Sequence, residues 1–395
     1  MPARPPGSWR RRVGLERRVA ALASALFVYG FGEELWSRYV PAYLRAMGAS
    51  ALLIGVFGTA RDLLDAAYSY PGGVLTDRLG THRSLLLFGA LSTAGFAIYL
   101  LWGSPAGVFV GLAFVMAWRS LGQPATFALI GEELDARRRI AGFTVQAVVK
   151  RIPIVVAPPL GGLLLERLGI RSGMKAGFAI AIFLLLVMLL RLSGALRPRG
   201  ETPARPADPA TRSVRLHPQL SRLLVADCLV RLCEGLPDVF LVLWAMEVVK
   251  VSPSQFGLLT SILTATAIVS YFPAAALAER AEKKTFVVLT YVFFSLFPLA
   301  VVFSRSFGAL AAAFVVGGLR EIGEPARKAL IVDLSDPGAR GRTVGLYYAI
   351  RGFSVAGAAA IGGALWTVRP ALTFIVAAAL GLFGTAWAAV FLRPR

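Results

Sequence analysis

The sequence predicts an all-α integral membrane protein of twelve transmembrane helices, arranged as two pseudo-symmetric six-helix halves. Three observations predict it. Hydrophobic residues make up 56% of the 395 and the mean hydropathy is +0.67, which leaves too little polar surface to cover one water-soluble core. Twelve apolar segments, each near or above the roughly 20 residues that cross a bilayer, run from one end to the other. The third observation is an internal repeat: Arg119-Ser120-Leu121-Gly122-Gln123-Pro124-Ala125 returns 201 residues later as Arg320-Glu321-Ile322-Gly323-Glu324-Pro325-Ala326. The same shift carries Glu33 onto Glu234, Lys150 onto Arg351 and Gly161-Gly162 onto Gly362-Gly363.

The segments lie near 18–45, 51–78, 83–103, 106–134, 139–166 and 173–195, then 218–249, 253–279, 285–304, 307–334, 341–367 and 370–392. Breakers separate them, among them Gly48-Ala49-Ser50, Gly103-Ser104-Pro105, Ser252-Pro253-Ser254 and Asp336-Pro337-Gly338. The domain plan is therefore a basic N-terminus over 1–17, a first half over 18–195, a linker over 196–217 and a second half over 218–395. Within the linker, the Pro- and Arg-rich run Leu196 to Pro206 has no apolar periodicity and reads as a flexible tether. Arg10-Arg11-Arg12 ahead of apolar sequence looks like a signal peptide, but the segment that follows carries Glu33 and Glu34 and lacks a small-residue cleavage site; it is expected to remain as the first membrane helix.

A formal charge of +20 would point a soluble protein toward nucleic acid. Its placement excludes that partner. Arg10, Arg11, Arg12, Arg78, Arg83, Arg137, Arg138, Arg139, Arg280, Lys283, Lys284, Arg340 and Arg342 fall in loops on the side of the N-terminus, and few basic residues lie opposite. Short loops rich in Lys and Arg stay in the cytoplasm. Both termini are expected there, in a plasma membrane of the bacterial inner-membrane type, with the lipid bilayer as solvent and a monomer as the default state.

Enzyme chemistry finds no foothold. The spacing of Cys228 and Cys233 suits neither a zinc site nor a redox pair, the two histidines fall in loops, and no phosphate-binding glycine loop or nucleophile constellation appears. Neither a metal nor a cofactor is expected, and the energy source is an ion gradient, H⁺ by preference.

Charged side chains at the bilayer centre cost roughly 2.5–3.5 kcal/mol even on insertion scales, so they face a protein interior or a wet cavity. The first half holds Glu33, Glu34, Arg38, Arg61, Asp62, Asp65, Arg119, Lys150 and Arg151 in mid-segment positions. In the second half the corresponding set is Asp227, Arg231, Glu234, Asp238, Arg320, Glu321, Glu324 and Arg351. The third, sixth, ninth and twelfth segments carry essentially none, which makes them lipid-facing supports. Local spacing offers the pairs Glu34–Arg38, Arg61–Asp65, Arg231 with Asp227 or Glu234, and Arg320–Glu324. Glu33 and Arg119 have no such local partner. The candidates for substrate contact and proton coupling are Glu33, Glu34, Asp62, Asp65, Arg119, Lys150, Arg151, Glu234, Asp238, Arg320, Glu324 and Arg351. Tyr29, Trp36, Trp118, Tyr271, Tyr347 and Tyr348 are candidate stacking walls.

The whole chain resembles the major facilitator superfamily, whose two halves are parallel repeats. Gly73-Val74-Leu75-Thr76-Asp77-Arg78-Leu79-Gly80-Thr81-His82-Arg83 is similar to the family signature after the second helix, with Thr81 and His82 departing from its basic pair. The resemblance implies a cytoplasmic gate formed by Gly73, Asp77, Arg78, Gly80 and Arg83, with the Asp77 carboxylate against the positive N-terminal end of the eleventh helix. Pro158, Pro159, Gly161 and Gly162 resemble the core of a helix-packing motif found in antiporters of the family, and Arg119 lies where those antiporters keep an arginine implicated in proton coupling. The expectation is a secondary transporter working by alternating access on a small-molecule substrate, first as proton-coupled antiport exporting an organic or amphipathic compound. Proton-coupled symport of an organic anion or zwitterion is the alternative, and a non-transporting receptor or assembly factor is the rival of another class.

Overall fold

The computed structural model describes residues 17–121, 136–195, 216–278, 282–335 and 340–392. Every one of the twelve expected segments is helical within these limits, and no strand occurs among the described residues. In the first half the segments are Arg17–Glu34 with Val40–Ala46, Ala51–Leu79, Thr81–Leu101, Pro105–Met116, Ala136–Leu168 and Ile170–Ala195. In the second they are Pro218–Gly235, Pro253–Ala278, Lys283–Phe303, Phe307–Leu319 with Glu324–Asp333, Arg340–Val355 with Ala358–Val368, and Pro370–Phe391.

Local chemistry sets the ends. Ser104 accepts from the Gly107 amide ahead of Pro105, and Ser306 accepts from the Ala309 amide at the start of the tenth segment. Gly80 and Gly169 join consecutive helices at φ of 79° and 80°, a left-handed conformation that a side chain resists. The repeat reaches into these details. The first segment stops at Glu34 and the seventh at Gly235, and each runs on into a single 3₁₀ turn, Ser37–Tyr39 and Asp238–Phe240, at equivalent positions.

Among the described residues, five helices are long and apolar enough to cross a membrane by length and composition: Thr81–Leu101, Ile170–Gly194, Lys283–Phe303, Thr343–Val368 and Pro370–Phe391. Four of them are the third, sixth, ninth and twelfth segments, whose few charges lie toward their ends.

The chain forms two compact units, Met1–Arg38 with Leu64–Ala207 and Tyr39–Leu63 with Asp208–Arg395. In the first, Trp36 packs edge-on against Phe96, Tyr99 and Phe178 at 5.3, 5.7 and 5.4 Å. Trp36 is thus core packing. The second unit packs Val230, Tyr291, Phe294 and Tyr347 into one apolar cluster around the seventh segment.

Candidate functional site

In the first unit the fourth segment does not run on as a regular α-helix. Ala117–Leu121 forms a wide π turn, and Arg119 sits in it. Its Nη1 donates to Glu33 Oε1 at 3.3 Å across 86 residues of chain, with the Glu33 side chain 12% exposed and that of Arg119 51% exposed. Beside this pair the rings of Tyr29 and Trp118 meet at 5.5 Å, and the partly buried Lys150 lies in the electrostatic field of both Glu33 and Arg119. Glu34 takes the local partner expected for it, Arg38, at 3.2 Å. Asp65, whose expected partner was Arg61, accepts from Ser120 Oγ at 2.5 Å. Arg61 turns instead to Asp62 at 3.0 Å and Asp238 at 2.8 Å, all three within the second unit.

The second unit repeats the Glu33–Arg119 pair. Arg320 Nη2 lies 3.3 Å from Glu234 Oε1, joining the positions equivalent to Arg119 and Glu33. Here the helix stops at Leu319 and resumes at Glu324, because Pro325 in the first turn has no N–H to bond backward and its ring clashes with the preceding turn. The interruption takes Glu324 out of register with Arg320, so the expected Arg320–Glu324 pair is not made. Glu324 binds Arg231 on the seventh segment and Arg327 Nη2, the latter at 2.8 Å. Arg231 also holds Glu234 at 2.7 Å.

Asp227 was expected to compete for Arg231. It has richer company: Arg327 Nη1 at 2.6 Å, Tyr347 Oη at 2.9 Å, Tyr291 Oη at 3.2 Å and Arg351 Nη1 at 3.4 Å all donate to it. Asp227 and Arg327 are buried, and burial of that depth demands such a set of donors. Arg327 and Tyr291 are the residues that sequence reasoning missed. The signal was present for Arg327, three residues after Glu324 on the same helical face; Tyr291 lies on a segment whose sequence offers no charge to mark it. Tyr347 donates to Asp227 and also meets the Tyr348 ring edge-on at 5.6 Å, and Tyr348 carries the Arg351 guanidinium 4.6 Å from its centroid.

Arg151 is partly buried on the fifth segment beside Lys150. Gly161 and Gly162 are buried there too, with Pro158 buried and Pro159 partly so, inside a helix that continues through all of them. A Cβ on Gly161 would fall on the Leu35 carbonyl, and one on Gly362 would fall on the Leu236 carbonyl, the equivalent contact in the second half. In the signature after the second segment, Arg78 and Arg83 are exposed, and Gly80 has the positive φ. Gly73 faces open space. The Asp77 side chain and the chain just ahead of the eleventh helix lie outside the described residues, as does the Tyr271 side chain.

A polytopic helical bundle, built twice from one repeat and carrying a matched carboxylate–arginine pair in each half, belongs to the class of membrane transporters rather than enzymes. The sequence profile of the Major Facilitator Superfamily matches residues 22–232 and 223–395. The chain belongs to that superfamily. It is 20% identical over 378 residues to the uncharacterized MFS-type transporter MJ1317 of Methanocaldococcus jannaschii, covering 93% of each. Among solved structures, a mutant of the peptide transporter POT superposes with a TM-score of 0.77 at 17% identity, over 95% of this chain and 93% of the other. A mutant of the nucleoside transporter NupG gives 0.76 at 10% identity, over 95% and 100%. These likenesses show the fold, and the transporters that share it carry different cargo.

Proposed function

We propose that the chain is a proton-coupled secondary transporter of a compound bearing a carboxylate or similar anionic group, an organic anion or a zwitterion, taken up by symport. The observation that carries the reading is the duplicated pair: Glu33–Arg119 and Glu234–Arg320, each at 3.3 Å. While the carboxylate is ionised, each arginine is neutralised by its own protein. A proton on Glu33 or Glu234 removes that charge and leaves a guanidinium whose fork of donors fits a carboxylate. Proton and anion then favour each other's binding, and by linkage the help is mutual. Coupled to alternating access, this carries both in the same direction. Arg119, half open to solvent, is the arm free to make the exchange.

Proton-driven export by antiport is the second reading. It is favoured by the buried Gly161 contact with the carbonyl of Leu35, two residues beyond Glu33, which resembles the packing motif of antiporters in the family. There a cationic or amphipathic substrate would compete with the proton for the carboxylate. On either reading the protein is placed in the plasma membrane with both termini cytoplasmic, a placement supported by its basic loops.

The two readings separate in a thermal-stabilisation screen on purified protein, with organic carboxylates, zwitterions and amphipathic cations at one acidic and one alkaline pH. Symport predicts carboxylate hits that stabilise more at the acidic pH after correction for their own ionisation, with the pH dependence lost in Glu33→Gln. Cationic hits that stabilise more at the alkaline pH would overturn this reading in favour of antiport.

A further inference from the structure

Six contacts in the second unit link seven charged residues in strict alternation of sign: Arg320, Glu234, Arg231, Glu324, Arg327, Asp227 and Arg351. The series has four arginines and three carboxylates. It ends in an arginine on each side, and the surplus positive charge has to settle at one end.

The two ends are not equal. Their exposure is nearly the same, 18% for Arg320 and 21% for Arg351, and the difference lies in the carboxylate each faces: Arg320, 5.2 and 5.5 Å from the ring centroids of Phe294 and Phe297, meets Glu234 Oε1 while Arg231 takes Oε2. Arg351 is held loosely. Its hydrogen bond among the described residues, 3.4 Å to Asp227 Oδ2, goes to an oxygen already taken by Arg327 at 2.6 Å and Tyr347 at 2.9 Å. Asp227 therefore spends its charge on Arg327, and Arg351 keeps most of its own.

Room for a counter-ion lies alongside. The Arg351 guanidinium stacks on Tyr348, and Gly345 and Gly352 flank that ring at three residues before and four after, hence on its face of the helix. A Cβ at either glycine would meet nothing within 4 Å. We propose that Arg351, stacked on Tyr348 and bordered by Gly345 and Gly352, is the seat of the substrate's anionic group, a carboxylate bound by the guanidinium edge. This deepens the reading of an anion-carrying transporter and rests on it: Arg351 is a standing seat for the anion, in addition to the guanidinium that a proton on a Glu–Arg pair sets free.

The chain supplies its own reporter. Cys228, partly exposed on the seventh segment, interacts with Ser354 and lies in the field of Arg351 and Asp227, whereas Cys233 is buried. An anion seated on Arg351 should shield the Cys228 thiol from alkylation. The experiment is maleimide labelling of the full-length purified protein with and without benzoate or glutarate, using Cys228→Ser to assign the signal. Slowed labelling is expected in the wild type, with the anion concentration for half-protection raised about tenfold or more in Arg351→Gln. Arg351→Lys, which keeps the charge, should recover part of the loss, and Gly352→Leu should block protection with Arg351 intact. Melting temperatures matching the wild type establish that each variant is folded, and protection is read as the ratio of labelling rates with and without anion, because removing the Arg351 charge alters the unliganded rate of Cys228.

Protection that survives undiminished in Arg351→Gln overturns the proposal, as does the absence of protection by either anion. These results do not depend on proton coupling. If Glu33→Gln leaves the pH dependence of ligand stabilisation intact while Arg351-dependent protection holds, the symport mechanism fails and the anion seat stands.

Discussion

Asp227 shows what a buried charge requires. Two phenols and two guanidiniums converge on it, and the pair it makes with Arg327 has almost no contact with solvent. Removing one member of such a pair leaves the other charge stranded, at a cost of about 3–5 kcal/mol, whereas replacing both with apolar groups is often near neutral. Asp227→Asn should therefore lower the melting temperature of the purified protein sharply, and Asp227→Leu with Arg327→Met should recover much of the loss. A wild-type melting curve for Asp227→Asn would show that the pair does not hold the fold. At this scale the sequence was legible in part. That Glu33 and Arg119 lack local partners could be read from spacing alone, and they found each other. Arg61, Asp227 and Glu324 were assigned partners along their own helices, and each is bound mainly or partly across helices instead. Three- and four-residue spacing identifies which pairs are possible; a pair forms only where no better donor arrives from another segment.

Helices were more legible than their interruptions. Apolar length located segments that are helical wherever they are described, consistent with twelve spans, because a lipid-spanning helix must satisfy its own backbone and so advertises itself by composition. The π turn at Ala117–Leu121 left no mark in composition, while the break at Arg320–Gly323 was foreshadowed by Pro325, which an apolar-length reading passes over. Glycines carry the element-scale packing. Gly362 rests on the Leu236 carbonyl as Gly161 rests on that of Leu35, so the fifth and eleventh segments approach the first and seventh at backbone contact. A side chain at either site must push two helices apart. Gly362→Val should destabilise by about 1–3 kcal/mol, the usual range for overpacking, and by more if the helices cannot separate. Gly345→Ala, at an open position, is the matched control. Equal melting temperatures for the two variants would remove the close-packing explanation for the glycine.

For the whole molecule the repeat predicts two like halves, and in backbone and site they are alike: a 3₁₀ turn after the first and seventh segments, a Glu–Arg pair in each half, a glycine on an equivalent carbonyl. Residues Tyr39–Leu63 depart from that plan, since they cluster with the second unit although they are continuous in sequence with the first half. Gly55 and Gly58 lie against Ala359, Thr59 Oγ1 accepts from the Ala360 amide at 3.1 Å, Arg45 meets Glu247 at 3.0 Å, and Arg61 bridges Asp62 and Asp238. No linear motif foretold this, because it depends on which arrangement of the segments is populated. Side chains of Arg61, Asp62 and Asp238 are about a third exposed, so solvent screens them and the bridge is worth only about 0.2–1 kcal/mol. A contribution of that size is negligible against the stability of the fold. Set against an equilibrium between two transport states, about 1 kcal/mol is roughly a fivefold change in population. Arg61→Asp, which places three carboxylates together, should therefore change the transport rate in proteoliposomes by about that factor and leave the melting temperature within a degree or two. Adding Asp238→Arg should restore the rate, because the pair is then remade with its signs exchanged. A rate unaltered by Arg61→Asp would mean that the contact is passive, and a collapsed melting temperature would mean that it belongs to the fold rather than to the transport cycle.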